Sequence, residues 1–183
     1  MYVYRDGAML SVHPVRRSVY SAFAWLLIHL PLSAGLLIGG HVSAIATATE
    51  DELETGQRWL WGGGLGVGML GMYIIAQLYR DLDPSGALLL PKQLRILPRL
   101  LAAIIYVLLP LASEESLTET SLISIGAAIS GFCVLWEMIT GLERGAAPFE
   151  SWSGRLEAYD TVVEIDSWKR RERAAEAAIV AAE

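Results

Sequence analysis

Asparagine is missing from this chain altogether, and cysteine occurs once, at Cys133. Without asparagine there is no acceptor for N-glycosylation, and a lone cysteine permits neither an intrachain disulfide nor a cysteine-based metal cluster. Charge is also scarce: Asp, Glu, Lys and Arg make up 19% of the 183 residues, against 54% hydrophobic residues. That balance is too apolar for a small soluble domain with a wet surface. HExxH, GxSxG and GxxxxGKS/T patterns are all absent, so no catalytic residue is identified. The histidines His13, His29 and His41 are strung along the first 41 positions and do not converge on a metal, and no cofactor is expected. With no basic domain or recognisable module, nucleic acid is not an expected partner.

What is present is four long apolar stretches, at about 19–41, 59–79, 97–113 and 121–142. Each is near the roughly 20 residues that a helix needs to cross a hydrocarbon core of about 30 Å. The third is short and has Pro98 and Pro110 near its ends. Basic residues are sorted loop by loop: Arg5, Arg16 and Arg17 precede the first stretch, and Arg80, Lys92, Arg95 and Arg99 lie between the second and third. Six more follow from Arg144 onward, and only Arg58 falls in either of the other two loops. Those loops are acidic, with Glu50, Asp51, Glu52 and Glu54 in one and Glu114, Glu115 and Glu119 in the other. A soluble bundle of buried helices has no reason to segregate charge in this way. The positive-inside rule places both termini and the 80–96 loop in the cytoplasm.

The predicted fold is therefore all-α: a polytopic membrane protein with four transmembrane helices plus a cytoplasmic amphipathic helix. Residues 1–18 form a cytoplasmic amino-terminal arm, 19–142 the four-helix transmembrane domain, and 143–183 a cytoplasmic linker and helical tail. The tail assignment rests on Leu156, Tyr159 and Val163 at helical spacing, with Lys169, Arg170, Arg171 and Arg173 beyond them. Such a helix lies on headgroups or docks on a partner.

Within the second stretch, Gly62 and Gly66, and Gly64 and Gly68, stand four residues apart, with Gly71 beyond. Missing side chains at that spacing allow close backbone approach, so these positions are candidate packing surfaces within the chain or against another. Gly35, and a weaker pair at Ala127 and Gly131, join them. The rings of Trp59, Trp61 and Tyr79 are placed near span ends, at headgroup depth; Trp25 and Trp136 sit deeper, as packing residues or interfacial ones.

Polar groups inside a membrane are costly and mark candidate sites. His29 lies near the centre of the first stretch, followed by Pro31, a candidate kink because it lacks an N–H. Glu137 is the other ionisable group, with Gln77 and Tyr73 on the second stretch. One reading makes His29 and Glu137 a proton relay or substrate-contacting pair, in a transporter-like or channel-like protein for a small solute or proton. The other makes the chain an accessory or structural subunit that associates through its glycines. The expected partners are the lipid bilayer and a homo-oligomer or another membrane subunit.

The run Trp25-Leu26-Leu27-Ile28-His29-Leu30-Pro31-Leu32-Ser33-Ala34-Gly35, the glycine-rich second stretch ending in Tyr79 and Arg80, the Arg99-Leu100-Leu101 start of the third and the fourth stretch with Glu137 carry a resemblance. Together they resemble the carboxy-terminal half of the low temperature requirement A family of multi-spanning membrane proteins, over residues 16–142. The resemblance implies that His29, Pro31 and Gly35 correspond to a recurring histidine, proline and glycine of one helix. It implies membrane embedding and no defined reaction. Members of that family are larger, so this chain resembles a short member or one segment of a longer protein.

Overall fold

The computed structural model describes residues 11–48, 53–81, 88–112 and 117–142. In chain order these form β1 (Ser11–Val12), α1 (Pro14–Arg17), α2 (Val19–Ala48), α3 (Thr55–Leu78), β2 (Arg80–Asp81), α4 (Lys92–Leu108, continued by a 3-10 turn at Leu109–Leu111) and α5 (Glu119–Thr140). Helix dominates, and the two strands are only a two-residue antiparallel pairing, Ser11 with Asp81 and Val12 with Arg80. The helices α2, α3, α4 with its turn, and α5 are each long and apolar enough to cross a membrane. The chain divides into two compact units, Met1–Arg144 and Gly145–Glu183. The helix expected from about residue 155 lies outside the described residues, as do residues 49–52 and 113–116 of the acidic loops.

Two helices differ from their expected bounds. At 30 residues, α2 runs on to Ala48 and is continuous through Pro31. It is about 45 Å long, so in a bilayer it tilts or projects beyond the hydrocarbon. The second difference matters more, because α4 begins at Lys92 rather than 97, which draws Arg95 into the helix and sets Arg99 two turns inside it. Pro98, inside α4, has no N–H for Leu94 O; Trp136 Nε1–H of α5 donates to that carbonyl instead, at 3.4 Å.

Short side chains and neighbouring strands of backbone close the ends. Thr118 Oγ1 accepts from Ser121 N–H at the start of α5, and Gln57 Oε1 accepts from Glu54 N–H at the start of α3. At the other end of α5, the N–H groups of Leu89 and Leu90 donate to Leu142 O and Thr140 O. Arg17 Nη1 donates to Leu78 O and Lys92 Nζ to Tyr79 O, so cations from two other segments meet the carbonyl end of α3.

The bundle is organised around α3, which carries glycine on two opposite faces. A Cβ at Gly64 would lie 2.7 Å from Gly35 O and 2.8 Å from Gly39 N, and one at Gly35 would lie 2.6 Å from Gly64 O. These are backbone atoms, so α2 and α3 touch main chain to main chain. Gly68 and Gly71 continue this face onto Leu36 and Leu32. On the opposite side Gly62 meets Tyr106 O and Pro110, and Gly66 meets Val107 and Ala103 O, both within α4 and its turn. The expected glycine surfaces thus pack the chain against itself. Ala127 and Gly131 do not: both are exposed, and a Cβ at Gly131 meets nothing within 4 Å. The glycine of α5 that packs is Gly126, one position round the helix, which lies against the rings of Trp61 and Tyr106.

Trp61 and Tyr79, expected at headgroup depth, are core residues, 1% and 3% exposed. Trp61 Nε1–H donates to Ser43 Oγ at 2.9 Å, which removes its reason to seek water.

Gly64→Ala forces two backbones apart and is expected to cost about 1–3 kcal/mol. Gly131→Ala has open space and should stay within about 0.5 kcal/mol of the parent. Thermal unfolding of the two variants in the same detergent checks both values; equal melting temperatures would refute the close approach.

Candidate functional site

The principal polar cluster is built by three helices around one guanidinium. Arg99 of α4 is 1% exposed and Glu137 of α5 is 9% exposed. Arg99 Nε donates to Glu137 Oε1 and Nη2 to Oε2, both at 2.5 Å, while Nη1 donates to Met72 O of α3 at 3.1 Å. The fork-to-fork geometry uses both carboxylate oxygens, and the third contact ties the pair to a helix that contributes no charge. Arg99 lies seven residues into α4, about 10 Å along the axis from Lys92, at the depth where α3 presents Met72 and α5 presents Glu137.

From the sequence alone, Arg99 is one of the loop charges that set orientation, and Glu137 pairs with His29. The structure places Arg99 inside a span as the partner of Glu137. His29 is half-buried on α2, where its Nδ1–H donates to Trp25 O at 2.6 Å. A carbonyl can only accept, so the Nδ1 tautomer is fixed and Nε2 is left as the other ring nitrogen. The Trp25 ring lies between two imidazoles, with centroids 4.1 Å from His29 and 4.9 Å from His13; His13 also stands edge-on to Tyr79 at 5.1 Å. His29 and Glu137 therefore belong to different clusters.

Arg58 also changes place. It lies in the first turn of α3, is 3% exposed, and donates to Leu117 O at 3.0 Å and Ala112 O at 3.4 Å. Its guanidinium closes the opposite end of the bundle by binding carbonyls between α4 and α5.

Gln77 and Tyr73 are brought together as neighbours one turn apart. Gln77 Nε2 donates to Tyr73 OH at 3.1 Å and to Gln93 Oε1 at 2.9 Å, and Gln93 Nε2 donates back to Gln77 Oε1 at 3.3 Å. Gln93 was not identified from the sequence because the third stretch was begun at 97. Tyr106, also unidentified, is 1% exposed and donates its O–H to Gly126 O at 2.6 Å, with Ser130 Oγ 2.7 Å away. Among the described residues, no group of three or more His, Cys, Asp or Glu side chains is placed to hold a metal.

Chemically, the central pair is a closed unit. Glu137 has both oxygens engaged by Arg99, so exchanging a proton or cation there requires the pair to separate. Removing one partner leaves a buried charge without its counter-charge and should destabilise the protein by about 3–5 kcal/mol. Arg99→Met with Glu137→Leu removes both charges and should recover most of that loss. Unfolding of Arg99→Met, Glu137→Leu and the double variant, followed by denaturant titration in micelles, measures the coupling; additive losses would exclude it.

No protein-family model, curated protein or solved structure matches the chain.

Proposed function

We propose that the protein is a multi-pass integral membrane protein that acts as an accessory or structural subunit through helix association. In this reading both termini and the 80–96 segment are cytoplasmic, as the distribution of Arg and Lys favours. The observation that carries it is the internal saturation of Arg99 and Glu137, which makes the central ion pair a brace among α3, α4 and α5. Ala127 and Gly131, small residues of α5 that pack against none of the other described helices, lie on an exposed apolar flank with Phe132 and Leu135. That flank suits a second helix from another chain or copy. Kinship with the low temperature requirement A family belongs to the same proposal and is supported by the His29-Leu30-Pro31 and Gly35 pattern.

A second reading, transport of a proton or small solute, draws on a different observation. His13, Trp25 and His29 form a continuous aromatic contact from the amino-terminal segment into α2. The contact runs from His13, ahead of α1, to His29 within α2, and polar groups at that depth in hydrocarbon mark candidate pathways.

Native mass spectrometry of the tagged protein, gently extracted with its lipid belt from its own membrane, separates the readings. The subunit reading expects a stoichiometric complex that Gly131→Leu disrupts while the isolated chain stays folded. A monomer whose reconstituted proton flux falls at least about tenfold in His29→Ala would favour transport instead.

A further inference from the structure

We infer that the groove between α3 and α4 is a binding site for one phospholipid, with an acyl chain along the groove and the phosphodiester at Tyr73 and Gln93. The groove encloses about 380 Å³ and is lined by Gly66, Leu70, Leu100, Ala103, Ile104 and Leu108 among others, with no polar lining atom. Gly66 and Ala103 form its floor, where α3 and α4 approach closely. This volume is in the range of small-molecule sites, roughly 300–1,000 Å³.

Beyond the Leu70 and Leu100 end of the groove, helical register aligns polar residues that form its mouth. On α3, Gly66, Leu70, Tyr73 and Gln77 follow one another at spacings of four, three and four residues. On α4, Gln93, Leu97, Leu100, Ile104 and Leu108 do the same. The Gln77 and Gln93 amides join the two stripes where α3 ends and α4 begins. From Gly66 to Gln77 the rise is about 16 Å and from Gln93 to Leu108 about 22 Å, so the far end of the groove lies at or just past the middle of a hydrocarbon core about 30 Å thick. An acyl chain that starts at the mouth therefore ends at the deep end of the groove.

The mouth has hydrogen-bond donors to spare. Gln77 uses its two N–H groups on Tyr73 OH and Gln93 Oε1. Tyr73 accepts from Gln77, which leaves its own O–H to donate, and Gln93 gives one N–H to Gln77 and keeps the other. Two donors thus face headgroup depth beside Lys92, and a phosphodiester presents acceptor oxygens and a negative charge there. The occupant is a phospholipid of the leaflet that meets the 80–96 segment. The site rests on the embedding of α2–α5 in a bilayer, which retention of the chain in carbonate-washed membranes checks separately.

The test is native mass spectrometry of the full chain, stripped of lipid in detergent and titrated with phosphatidylglycerol, phosphatidylcholine or diacylglycerol. The parent should retain one molecule of either phospholipid. Ile104→Trp fills the groove, and Tyr73→Phe with Gln93→Leu removes both donors; each should lower retention about tenfold. Leu37→Trp, on the exposed side of α2, should match the parent. Equal retention by the parent, the groove variant and the α2 variant would overturn the site. Capture of diacylglycerol as tight as that of the phospholipids would overturn the placement of the phosphodiester.

Discussion

The Arg99 guanidinium is the group the bundle can least do without. In hydrocarbon no solvent replaces its partners, so Glu137 and Met72 O must be where they are or the charge is stranded. The demand is strongest for α5, which two side chains of α4 hold at two depths. Near the 80–96 end it is held by Arg99, and further along by Tyr106 on Gly126 and Ser130. A slip of one residue would turn both attachments about 100° around the helix axis. Two polar ties at different depths therefore set both the rotation and the height of α5.

Glycine performs the complementary task for α2, α3 and α4. Lipid tails are as apolar as leucine, so burial alone gives membrane helices little reason to associate; close packing and polar contacts supply it. Gly35 against Gly64, and Gly62 against Tyr106 O, bring main chains near enough for extensive dispersion contact. The polar side chains of the interior then have carbonyls and hydroxyls within reach, as Trp61 has in Ser43.

The spans and the glycine faces of α3 were readable from spacing, because periodicity states which residues share a face. Which face meets which neighbour is a tertiary matter. Gly126 and Ala127 are adjacent and chemically alike, yet only Gly126 lies beneath Trp61 and Tyr106. The central pair was missed for a different reason. Arg99 stands at the margin of an apolar run, where a positive charge is the ordinary sign of a cytoplasmic flank. The usable signal was depth: once α4 begins at Lys92, Arg99 falls two turns inside, level with Glu137. The same boundary hid Gln93 as the neighbour of Gln77. Aromatic rings collect at interfaces, which is why Trp61 and Tyr79 are expected there, whereas Trp61 is received by Gly126 and Ser43 and Tyr79 lies against the His13 ring.

The two-sided glycine pattern of α3 has a consequence for how the protein enters its membrane. Of the four long helices α3 is the least apolar and the most enclosed, and it carries Arg58 in its first turn. Alone among lipid tails it would expose backbone along two stripes and an unshielded guanidinium. Biogenesis therefore favours delivery of α2 and α3 as a hairpin, with α4 arriving before α3 is released to the lipid.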